Sequence, residues 1–171
     1  MEEDKTPVKE EQSETYDASD RPFDFVEEDV ETALVCESDA SAKEKISNAM
    51  KGLGYRITEA ASVKDALKNM RFHVYNVVIA NETFDTSDPA ANEVLKYLAN
   101  LNMSIRRQIF VTMISNTFRT MDNMAAFNNS VNLVINTKNI DDAGQIIKRG
   151  IAENAAFYHV LKETLKKKGR G

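Results

Sequence analysis

Three polar stretches that follow apolar runs hold most of this chain's capacity for chemistry. Glu37-Ser38-Asp39 follows Ala33-Leu34-Val35-Cys36, Asn81-Glu82 follows Tyr75-Asn76-Val77-Val78-Ile79-Ala80, and Asn136 follows residues 131–135. Brought together, Glu37, Asp39, Asn81, Glu82 and Asn136 form a polar pocket with two readings. Carboxylates beside amides can bind a small ligand or a hard cation, or they can be a solvated cluster that caps helices. Nucleophilic chemistry has little support. His73 and His159, the only histidines, lie far apart without Asp or Ser at a triad spacing. His73, between Phe72 and Val74, is expected as a partly buried packing residue, and His159 on a helix surface. The single cysteine, Cys36, excludes an internal disulfide or a Cys-cluster zinc site, and is expected as a buried structural thiol. None of the six glycines builds a phosphate loop. The expectation is a non-enzyme with no cofactor and no resident metal.

Positioning such a pocket requires a frame. From residue 32 onward, short apolar runs alternate with helical periodicity, the pattern of an α/β fold with a mainly parallel sheet. Strands are expected at 33–36, 55–60, 75–80, 109–114 and 131–135. A first helix over 41–53 places Ile46, Ala49, Met50 and Leu53 on one stripe. Ser62 caps a second helix carrying Val63, Ala66, Leu67 and Met70. A polar loop over 81–92 leads to a third helix with Val94, Leu95, Leu98 and Leu101. A fourth, over 117–127, has Phe118, Met121, Met124 and Ala125 as its apolar stripe, with Phe127 also expected in the core. The last helix runs from about 140 to 167, with Gly150 as a possible break point. The result is a doubly wound five-stranded parallel sheet of flavodoxin-like order 2-1-3-4-5 with an extended C-terminal helix. Helices one and five lie on one face and two to four on the other. In such a sheet, binding or chemistry sits beyond the carboxyl ends of strands one and three, where Glu37-Ser38-Asp39 and Asn81-Glu82 fall.

Charge divides the 171 residues unevenly. Residues 1–31 hold 13 acidic and 3 basic side chains, a balance of −10, and the other 140 residues carry +5 against a total of −5. So acidic and apolar-poor a segment cannot offset its ordering entropy, so residues 1 to about 22 are expected to be disordered. Phe23, Phe25 and Val26 interrupt that pattern; they dock onto the domain, dock onto a partner, or are merely an apolar linker. No run of about 18 apolar residues could span a bilayer, and the acidic start is unlike a signal peptide, so a cytoplasmic protein is expected. The chain divides into an acidic tail (1–31), a domain (32–148) and a helical extension with a basic end (149–171).

Over residues 32–148 the chain resembles the receiver domain of bacterial response regulators (CheY-like). The resemblance rests on Leu34-Val35-Cys36-Glu37-Ser38-Asp39, on Tyr75-Asn76-Val77-Val78-Ile79-Ala80-Asn81, and on Ala60-Ala61-Ser62-Val63-Lys64-Asp65-Ala66-Leu67. It implies a signalling module whose phospho-accepting aspartate would stand at the end of the third strand, where this chain has Asn81. A neutral amide is a poor nucleophile and a weak magnesium ligand. Of the acidic pair that such domains place after strand one, Glu37 keeps one carboxylate, Ser38 replaces the second, and Asp39 sits one position later. The hydroxyl after strand four falls at Met113, with Thr112 one residue away and Ser115 as a further candidate. The lysine after strand five maps to Asn136, the proline after it to Thr137, and the aromatic switch to Leu133. A degenerate, phosphorylation-independent pseudo-receiver is therefore expected, acting through protein contacts; the alternative is a ligand- or metal-sensing domain using the remnant pocket.

The same resemblance points to the fourth helix, fifth strand and last helix as a partner face, with Arg119, Asp122, Asn123, Leu133, Tyr158, Leu161 and Leu165 as candidate contacts. Ile140, Ile147, Ile151, Tyr158, Leu161 and Leu165 keep near-heptad spacing, so the last helix either pairs with a partner helix, including a second copy, or folds over its own domain. The partner's identity is not legible. Lys162, Lys166, Lys167, Lys168 and Arg170 are read as a solvated helix end that complements the helix dipole, in preference to a nucleic-acid or acidic-membrane site, and no aromatic residues interleave them to support base stacking.

Overall fold

A computed structural model describes residues 30–169. The expected acidic tail, apart from Val30 and Glu31, and Arg170 lie outside the described residues. Five strands, β1 (Thr32–Cys36), β2 (Arg56–Glu59), β3 (Val77–Asn81), β4 (Phe110–Ser115) and β5 (Leu133–Asn136), form one sheet of order β2-β1-β3-β4-β5. Every pairing is parallel. Six α-helices connect and cover them among the described residues: α1 (Ala40–Gly52), α2 (Val63–Phe72), α3 (Glu93–Ala99), α4 (Met103–Arg106), α5 (Asn123–Asn128) and α6 (Ala143–Lys167). None is long and apolar enough to cross a membrane.

The uninterrupted apolar runs of β1 and β3 have a direct cause: both strands are covered on two faces. Ala33, Val35, Val77 and Ile79 meet Ile46 and Met50 of α1 and Ala143 and Ile147 of α6. Leu34, Cys36, Val78 and Ala80 meet Ala66 and Met70 of α2, Val94 and Leu98 of α3, and Ala125 and Ala126 of α5. Full burial of each larger aliphatic side chain contributes about 1.5–3 kcal/mol, so this two-sided core is the main force fixing the strand tips.

The helix starts are set by side-chain caps. Asp39 Oδ1 accepts from Ala42 N at 2.7 Å. Ser62 Oγ accepts from Asp65 N at 3.2 Å while Asp65 Oδ2 accepts from Ala61 N at 2.9 Å, a brace like the capping box but reaching one residue further back.

Three expectations need correction. The fourth long helix does not start at 117: Ser115 Oγ accepts from Thr117 N and Phe118 N, Met121 adopts φ 62°, and only at the Asp122 cap does α5 begin. Phe118, Met121, Met124 and Phe127 consequently lie exposed instead of forming a core stripe. The last helix begins at Ala143, after a 3-10 turn over Thr137–Asp142. Gly150 does not break it; a Cβ there would stand 2.9 Å from Phe110 Cζ and 3.3 Å from Leu133, so its role is to let α6 press onto β4 and β5.

Candidate functional site

The carboxyl ends of the strands bring Glu37, Ser38, Asp39, Asn81, Asn116 and Thr137 around an open pocket of about 510 Å³, with Lys45 of α1 in its wall. At its floor Asn81 and Glu37 are both buried. Asn81 Nδ2 donates to Glu37 Oε2 at 2.8 Å, and Asn81 Oδ1 accepts from both Thr83 N and Thr83 Oγ1 at 2.9 Å. The two bonds from Thr83 fix which way the amide points. Glu37 Oε1 accepts from Asp39 N at 3.0 Å, and Asp39 spends its own carboxylate capping α1. Lys45 is held by Asp141 at 2.8 Å.

Beside this floor a second network stabilises the rim. Glu82, also buried, accepts from Ser115 Oγ at 2.9 Å and from Asn116 N at 3.0 Å. Asn92 Nδ2 donates to the Asn81 and Glu82 carbonyls at 2.9 and 3.0 Å while its Oδ1 caps α3. Each of these buried polar groups thus has a partner, as burial demands.

Magnesium, the cation associated with this fold, does not fit this donor set. The Asn81 N–H group points at the Glu37 oxygen that would otherwise face a cation, and turning the amide over would forfeit both Thr83 bonds. Among the described residues no three His, Cys, Asp or Glu side chains are grouped to hold a metal ion. The arrangement can present hydrogen-bond donors and acceptors to a ligand, but it offers no free carboxylate nucleophile at the tip of β3.

No protein-family model and no curated protein matches this sequence. Solved structures do. An orphan response regulator of H. pylori is 15% identical with a TM-score of 0.53, covering 70% of this chain and 95% of that one. A chemotaxis response regulator of Vibrio cholerae is 14% identical with a TM-score of 0.58, covering 71% and 98%. A CheY-like receiver domain protein from Methanospirillum hungatei is 15% identical with a TM-score of 0.58, covering 74% and 98%. The fold is that of a receiver domain.

Within the receiver frame, Asn81 ends the central strand and pairs in register with Ile114, and Ser115 pairs with Asn136. The hydroxyl at the tip of β4 is therefore Ser115. Met113 lies in the apolar core against the α2, α3 and α5 side, two positions too early, and does not reach the pocket. Thr112 is fully buried, and its Oγ1 has no hydrogen-bond partner. Asn136 caps the following 3-10 turn through Lys138 N at 3.0 Å and donates to the Phe118 carbonyl at 2.8 Å; it does not line the pocket with Glu37 and Asn81.

Leu133 is buried under α6 and cannot touch a partner. Arg119 and Asn123 are exposed and Asp122, half-buried, caps α5. On α6, Tyr158 and Leu165 are half-buried and Leu161 is exposed, while Phe157 and Val160, outside the expected stripe, are the most exposed large apolar side chains of that helix, at 79% and 73%. Cys36 is buried and its thiol is pushed up to about 12, first by burial and then by the Asp65 and Glu37 charges, which keeps it inert. His73 is half-buried and His159 exposed. The residues missed from sequence are Thr83, Asn92, Asn116 and Lys45. Asn92, directly before the third helix's apolar stripe, carried a capping signal.

Proposed function

We propose that this chain is a phosphorylation-independent, non-enzymatic module of two-component signalling that acts in the cytoplasm through protein contacts. One observation carries the reading: the residue at the tip of the central strand is an amide whose donor and acceptor are both engaged, by Glu37 and Thr83. A phosphoryl group would find no carboxylate at position 81 to attack it, and the position matched to the family's lysine holds the neutral amide of Asn136. A neighbour of the same fold is described as an orphan response regulator, which fits such a role. The buried lone Cys36 suits a reducing compartment.

Exposed Met121, Met124 and Phe127 near Arg119, Asp122 and Asn123, with Phe157 and Val160 on α6, supply the apolar surface for a protein partner. Incubation of the chain with a small phosphodonor, followed by intact-mass measurement, should leave the mass unchanged, and a gain of one phosphoryl group overturns the reading. The open pocket of about 510 Å³ favours one second reading, a sensor of a small polar ligand. Thermal-shift measurements with magnesium and with small anions separate the two, since only a sensor is stabilised.

A further inference from the structure

The opposite end of the sheet holds an apolar pocket that the receiver reading does not use. It has a volume of about 130 Å³ and is walled by Met70, Tyr75, Val78, Tyr97 and Ile105, with Arg71 and His73 among its lining residues. A cavity of ~150 Å³ admits a benzene ring, so one aromatic side chain is of the right size. Apolar surface is exposed nearby: Phe72 is 51% exposed, Val74 46% and Ile105 39%.

The place where the chain joins the sheet is tied to the wall of this pocket. Thr32, the first residue of β1, donates its N–H to Asn76 Oδ1 at 2.8 Å, and Asn76 N returns a bond to the Thr32 carbonyl at 3.0 Å. The Thr32 hydroxyl is 2.8 Å from His73 Nε2, and the His73 ring packs edge-on against Tyr75 at 4.6 Å. Thr32 thus sits at the pocket's edge, and the chain before it leaves from the same end of the sheet, the Glu31 carbonyl first accepting from Arg56 N of β2 at 2.9 Å. Only seven positions separate Phe25 from Thr32, a reach of about 23 Å at 3.3 Å per residue, ample for a fold-back. The chemistry also matches. Phe23, Phe25 and Val26 are flanked by Asp24, Glu27, Glu28 and Asp29, within an N-terminal segment of charge −10, whereas the other 140 residues carry +5.

We propose that this pocket is occupied by the Phe23-Asp24-Phe25-Val26 stretch of the same chain, one aromatic ring inside and the flanking carboxylates over Arg71. The acidic segment is then anchored at the amino end of the sheet, and the working module reaches back to about residue 22. Anchoring is independent of what happens at Asn81, so uptake of a phosphoryl group would overturn the proposed function and leave this proposal standing.

The test is methyl-labelled NMR of the 171-residue chain together with hydrogen exchange. Nuclear Overhauser contacts are expected from a Phe23 or Phe25 ring to the Val78, Ile105 and Ile109 methyls. In Phe23→Ala/Phe25→Ala they vanish, and exchange at residues 73–76 accelerates about tenfold or more. Ile105→Glu, at an exposed lip position, should release the segment without touching the core. A sample mixing differently labelled copies separates sources: contacts only between copies mean that a second molecule fills the pocket and overturn the proposal. So do absent contacts with unchanged exchange in the double alanine variant.

Discussion

The two ends of this sheet are opposites. At the carboxyl end, Glu37, Asn81, Glu82, Asn92 and Ser115 are buried polar groups, and each is satisfied by neighbours within the domain. At the amino end, the lining of the smaller pocket is mainly apolar, and exposed Phe72, Val74 and Ile105 stand beside it. Buried donors and acceptors that are already paired internally gain little from a new ligand, because any contact to them must first break one already made. Apolar surface left in water is different: covering it contributes about 25 cal/mol per Å² with nothing to break. On the proposed reading the carboxyl end is therefore the quiet one, and binding is expected at the apolar surfaces.

The most severe way to break this contrast is Asn92→Ala. It removes two bonds to buried carbonyls and the α3 cap together, and should cost about 3 kcal/mol in urea unfolding, by loss of satisfaction at the carboxyl end. Next is Asn81→Asp, which sets two carboxylates against each other at the present 2.8 Å contact. One of the pair then holds its proton to higher pH in the folded state than in the unfolded chain. Stability is expected to fall by about 2 kcal/mol at neutral pH and to recover as pH drops or as magnesium is added, read by thermal melts. A variant that lost nothing and gained nothing from the cation would mean that the amide is not engaged as described.

A smaller effect sharpens the comparison from mid-strand. Thr112 Oγ1 is buried without a partner, so Thr112→Val should stabilise the chain by about 1 kcal/mol, whereas Ser115→Ala at the saturated tip should destabilise it. The smallest concerns the amino end. Burial lowers the His73 pKa below its ordinary value, so the unfolded chain takes up the proton first as pH falls. Stability present above about pH 6.5 therefore declines on acidification through the lowered folded value, and His73→Gln should flatten that part of the pH–stability curve.

Much of this was legible without coordinates. The buried runs in β1 and β3 announced two-sided coverage, Ser62 announced a helix start, and the alternation of runs and stripes led to the strand order. Less legible was the segment from Phe118 to Phe127. Its apolar residues recur at helical spacing, but the Ser115 hydroxyl captures the Thr117 and Phe118 amides and forces a turn before Asp122 can cap α5. Met113 was misplaced for a related reason. Side chains alternate across a strand, so a displacement of one residue exchanges core for pocket and one of two lands deeper on the same face.

By itself the sequence determined the five strands, the alternation of strands with helices, and the chemical fact of an amide at position 81, because periodicity and residue type are local properties. Only the tertiary structure decided which hydroxyl stands at the tip of β4, that Leu133 is buried while Phe157 and Val160 are exposed, and that Thr32 joins the sheet beside an apolar pocket. Those depend on register and on which helix face meets the sheet, and both are settled by contacts between residues far apart in the chain.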